Sequence, residues 1–82
     1  MKESTIKLID EHLQKARKKH PAFTFSHWQT VSVATEELGE FAQAINDYLA
    51  AGPTPEADKC FKKAQSEALD LIAVMVRFLE GD

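Results

Sequence analysis

The sequence predicts an all-α fold, a leading helix plus a long helical hairpin that oligomerises into a four-helix-bundle core. Three observations predict it. Apolar residues recur at helical spacing in three separate stretches. Two breaks between them carry turn chemistry, at His20-Pro21 and at Gly52-Pro53. The second half of the last stretch, Leu69 to Leu79, is apolar on nearly all sides, and a helix of that kind must be covered all round.

The leading helix spans about residues 4 to 19, where Ile6, Ile9, Leu13 and Ala16 form one apolar stripe. Lys15, Arg17, Lys18 and Lys19 crowd its end. Cations there suit the helix C-terminus and the solvent; they also make a positive rim that would draw in an anion. Pro21 biases His20 out of the helix and ends it. In the loop that follows, Phe23 and Phe25 read as core plugs.

Ser26-His27-Trp28-Gln29 matches a capping box, with Ser26 as N-cap. The second helix then runs from about 27 to 50, with Val31, Ala34, Leu38, Phe41, Ile45 and Leu49 as its apolar stripe. Glu37, Glu40, Ala44 and Asp47 lie on a flanking stripe. Gly39 costs the helix up to about 1 kcal/mol against alanine; it either permits a close approach or is simply tolerated. After the turn, Thr54 and Pro55 suit an N-cap and first helical residue. The third helix runs from about 55 to 80, and its all-round apolar half predicts packing across a two-fold axis in a homodimer or homotetramer. Tyr48 and Cys60, near the turn, read as structural.

Two acidic pairs dominate the hairpin. Glu37 and Glu40, like Glu67 and Asp70, are spaced i, i+3 and share a helix face. Glu37 lies 15 positions before Gly52 and Glu67 lies 14 after Pro53, so folding about the turn brings the pairs to nearly the same height. Carboxylates about 5 Å apart repel by about 3 kcal/mol at an effective dielectric of 20. Bound protons, basic side chains or a metal cation must neutralise them. Hard oxygen ligands suit Mg²⁺ or Mn²⁺. A di-iron bundle would use Glu-x-x-His, whereas His12, His20 and His27 all precede the acids. One stripe of the third helix holds Lys63, Glu67, Asp70, Val74 and Arg77, which on the plainer reading is ion pairing on a solvated face.

At 82 residues the chain holds one domain at most. Cys60, the lone cysteine, excludes an internal disulfide and fits a reducing, cytoplasmic setting. Neither a signal peptide nor a membrane span is evident, and a net charge of −3 argues against a nucleic-acid polymer as partner.

The run Glu36-Glu37-Leu38-Gly39-Glu40-Phe41-Ala42-Gln43-Ala44-Ile45-Asn46, followed by Glu67-Ala68-Leu69-Asp70-Leu71-Ile72, resembles the MazG-like all-α nucleoside triphosphate pyrophosphohydrolases. That family carries Glu-x-x-Glu, a variable gap and Glu-x-x-Asp; the gap here is 26 residues. The likeness covers about residues 27 to 80. It implies conversion of a (deoxy)nucleoside triphosphate to the monophosphate and pyrophosphate. It also implies that Glu37, Glu40, Glu67 and Asp70 hold Mg²⁺ against the phosphates, and that Glu36 or Glu37 orients or deprotonates the attacking water. Lys63 matches a basic position of some relatives. Arg77 joins it from the stripe described above as a phosphate contact, and Trp28 with His27 could receive the base, although Trp28 equally suits a core or interface aromatic. Many relatives continue into another helix with basic and Asn residues. With Gly81-Asp82 last here, the phosphate grip is expected from Lys63, Arg77, the basic end of the first helix or a second subunit. The rival function is a non-catalytic helical dimerisation module with a solvated acidic face.

Overall fold

A computed structural model describes residues 1–21 and 26–81, which form three helices and no strand. These are α1 (Glu3–Lys19), α2 (His27–Ala51) and α3 (Pro55–Glu80). Phe23 and Phe25, expected as core plugs, lie outside the described residues.

Local chemistry sets the ends. The His20 N–H donates to the Ala16 carbonyl at 2.8 Å and closes α1. The capping box forms: the Gln29 N–H donates to Ser26 Oγ at 3.2 Å, and the Ser26 N–H donates to Gln29 Oε1 at 2.9 Å. Two donors that the helix start leaves without partners are thus satisfied. Gly52 ends α2 at φ 62, a backbone conformation that a side chain would strain. Thr54 occupies the N-cap of α3 with Pro55 behind it, but its hydroxyl does not cap. It donates backwards to the Ala51 carbonyl at 2.9 Å, tightening the turn instead.

α2 and α3 form the hairpin, in antiparallel contact along most of their length. Tyr48 meets Phe61 near the turn, with ring centroids 5.4 Å apart, and His27 meets Phe78 edge-on at the far end, at 6.5 Å. Between these aromatic pairs the buried apolar residues are all alanines. Ala44 and Ala64 are each 2 % exposed, and Ala73 is buried with them. Alanines let the backbones approach closely, which brings the longer acidic side chains beside them into the seam.

The apolar stripe expected on α2 is only half covered: Ala34, Phe41 and Ile45 are half-buried. Val31, Leu38 and Leu49 are exposed at 58, 53 and 69 %, while Thr30 and Ala44 are the buried residues of this helix. Of the flanking stripe, Ala44 is buried and Glu37 half-buried, while Glu40 and Asp47 are exposed. On α3, Ile72, Met75, Phe78 and Leu79 are exposed as well. The single chain covers its small residues and leaves many large ones outside. Gly39 also faces open space: a Cβ added there meets nothing within 4 Å, so no close approach within the chain requires it.

α1 rests on α3 and makes no close backbone approach to α2 among the described residues. Leu13 is its buried anchor. Ascending contacts, from His12 with Asp70 to Arg17 with Glu80, make α1 run in the same direction as α3.

Candidate metal centre

Glu37 enters from α2, and Glu67 and Asp70 enter from α3, one turn apart. One carboxylate oxygen of each lies within 4.8 Å of the others. The i, i+3 spacing puts Glu67 and Asp70 on the side of α3 that meets α2. The alanine seam then closes the distance to Glu37.

This arrangement is electrostatically unfavourable as it stands. Burial, then the charges of Glu40, Asp70, Glu67 and Glu36, pushes the Glu37 carboxyl up to about 7. Glu67 is raised by burial first, then by a hydrogen bond to the Glu40 side chain and the charges of Glu40 and Asp70; Lys63 opposes the shift. Two carboxyl groups can share a hydrogen bond only when one holds a proton. Oε2 of Glu37 and Oε2 of Glu67 are buried and have no hydrogen-bond partner. Such orphaned oxygens cost free energy unless something satisfies them.

A divalent cation would do so. Oxygens held about 2.1 Å from Mg²⁺ stand about 3 to 4 Å from one another, near the spacing of this trio. All three groups are hard carboxylates, which suit Mg²⁺ or Mn²⁺ over softer metals. The residues present therefore fit the group.

Glu40 stands one step away from the trio. It faces Glu67 across a second cavity of about 320 Å³, which Gln43, Ala44 and Lys63 also line. Glu36 is exposed beside Glu37. Lys63 lies near Glu67, on the Glu40 side. Arg77 is only 3 % exposed, and its Nη1 donates to the Ala16 carbonyl at 3.2 Å. Trp28 is 83 % exposed. His27 lines a separate apolar groove with Thr30, Val31, Ala34, Met75 and Phe78.

Sequence reasoning left out His12. Its Nε2 is 4.0 Å from Oδ1 of Asp70, and its Nδ1 is 3.2 Å from the Leu8 carbonyl. It belongs to a cavity of about 290 Å³ between α1 and the hairpin, which Lys15, Ala16, Lys19, Glu37, Asp70, Ala73, Val74 and Arg77 also line. The available signal was the stripe His12, Lys15, Ala16 and Lys19, at i, i+3, i+4 and i+7 on α1.

No family model matches this chain, and no curated protein or solved structure matches it either. No helix among the described residues is long and apolar enough to cross a membrane.

Proposed function

We propose that the chain is a Mg²⁺-dependent nucleoside triphosphate pyrophosphohydrolase, the activity implied by the resemblance of its acidic motifs to the MazG-like family. One observation carries the reading: Glu37, Glu67 and Asp70, from two helices, converge within 4.8 Å and leave buried oxygens unsatisfied. Acids on a solvated face would diverge into water instead.

Glu37, Glu67 and Asp70 would hold Mg²⁺, with Mn²⁺ a possible substitute and Glu40 behind Glu67. The ion supplies positive charge that offsets the negative charge of phosphate oxygens. The remaining work falls to the chain. Glu36 or Glu37 accepts a proton from the attacking water. The water oxygen forms a bond to the α-phosphorus while the bond from that phosphorus to the bridging oxygen breaks, and pyrophosphate leaves with the electron pair. Lys63 stands on the Glu40 side, where it can meet phosphate. Trp28 and His27, at the start of α2, are the aromatic candidates for the base. The assembly is a homodimer or homotetramer in a cytoplasmic setting, serving to clear unwanted nucleotides.

A second reading has an observation of its own. The exposed Val31, Leu38, Met75, Phe78 and Leu79 suit a helical dimerisation module with no catalysis. Pyrophosphate release, screened across nucleoside triphosphates with Mg²⁺, separates the two. The hydrolase releases pyrophosphate, and Glu67→Gln abolishes that release while the chain stays folded. Activity surviving in the variant would remove the site assignment. Absence of release from every triphosphate would favour the module.

A further inference from the structure

We infer that the cavity between α1 and the hairpin is an anion subsite, where Lys15 and Lys19 bind the polyphosphate of a metal-chelated ligand. The inference rests on the hydrolase reading for its substrate, and on the cavity's own composition for its location. The cavity has two chemically opposite walls. Glu37 and Asp70 form one; Lys15, Lys19 and Arg77 form the other.

Opposite charges in one cavity ordinarily pair, as His12 does with Asp70 at 4.0 Å, but the two lysines are left over. Among the described residues, neither Lys15 nor Lys19 is ion-paired. The two lysines and the two acids thus line one cavity without an ion pair between them. A divalent cation alone would suit only the acidic wall, and a free anion only the basic one. A polyphosphate carrying a divalent cation presents both charges over the length of a few bonds, and suits both.

The helix itself does not draw the anion. Lys15 and Lys19 stand near the C-terminal end of α1, where the helix dipole is negative. The side chains must therefore supply the attraction, and their i, i+4 spacing puts both on the cavity face. Arg77 holds that face in place through its bond to the Ala16 carbonyl.

Calorimetric titration of the intact chain with inorganic tripolyphosphate in Mg²⁺ tests the subsite. The Lys15→Ala/Lys19→Ala variant should bind at least about tenfold more weakly than wild type, the loss expected from charge-assisted hydrogen bonds. Lys7→Ala/Lys18→Ala removes the same charge from the same helix outside the cavity, and should weaken binding by less than about threefold. Mn²⁺ titrated alone should bind both variants as it binds wild type, which also establishes that they are folded. Equal effects from the two double variants would reduce the lysines to long-range attraction and overturn the subsite. So would unchanged affinity in Lys15→Ala/Lys19→Ala, or no binding of tripolyphosphate to wild type. If pyrophosphate is still released from nucleotides in any of those cases, the reaction stands and only the subsite falls.

Discussion

Arg77 reaches across from α3 to the last turn of α1, where its Nη1 donates to the carbonyl of Ala16 at 3.2 Å. The same carbonyl accepts the His20 N–H at 2.8 Å. A cation at a helix C-terminus is favourable, and this one is almost entirely withdrawn from water. Arg77→Ala should lower the unfolding free energy by about 2 to 4 kcal/mol, through the lost charged hydrogen bond and the lost packing of its stem. Arg77→Lys should recover only part, because an ammonium cannot reproduce the guanidinium fork. Urea unfolding of the three proteins measures this. Wild-type stability in Arg77→Ala would remove the tie.

The metal-free chain should lose stability as pH rises from about 4.5 to about 7. The Glu37 carboxyl, raised to about 7, keeps its proton in the folded chain where the unfolded chain has released it. Stability therefore falls across that window, because the folded state binds more protons. Glu67 shifts in the same direction. Denaturation in a chelator at several pH values checks the slope, and Glu37→Gln should flatten it. Mg²⁺ added above pH 7 should raise the midpoint of wild type by mass action. A stability that climbs through the window would contradict the clustering.

Val31 separates the chain's own stability from its assembly. It is 58 % exposed in the single chain, so Val31→Glu should change monomer stability by no more than about 0.5 kcal/mol. Placed in a buried interface between copies, the same glutamate would be an unpaired charge and should split the assembly. Sedimentation at micromolar concentration should find an oligomer for wild type and a smaller species for the variant. A well-folded wild-type monomer would contradict the homo-oligomer.

Gly39 offers an independent probe of the outer face of α2. With open space where its Cβ would stand, Gly39→Ala should stabilise the chain by about 0.5 to 1 kcal/mol from helix propensity alone. Thermal melting at low concentration measures it. Destabilisation that appears only at high concentration would place a second copy of the chain against this glycine.

Much of this structure was legible in the sequence because it is decided locally. Ser26 with Gln29, Pro21, Gly52 and Pro55 mark the helix ends within a residue or so of where they fall. Equal distances from the turn were enough to bring Glu37 level with Glu67 and Asp70. What escaped depends on docking. Nothing local says that α1 lies along α3 in the same direction, so the meeting of His12 with Asp70 was out of reach. Periodicity identifies the stripe through Val31 and Leu38 but is silent on whether it meets the same chain or another. Thr54 has the right residue type for a cap, yet the tight turn gave its hydroxyl a nearer acceptor in Ala51.

Among the described residues, α1 makes its close backbone approach to α3 and none to α2. It can lift away while the hairpin keeps its own seam, so deuterium should enter the amides of α1 before those of α2 and α3. Two of the three carboxylates would then remain on α3, the third on α2, while one wall of the cavity opened to bulk water. On the hydrolase reading, the helix expected to exchange first is then the one whose movement would admit a bulky nucleotide and release its products.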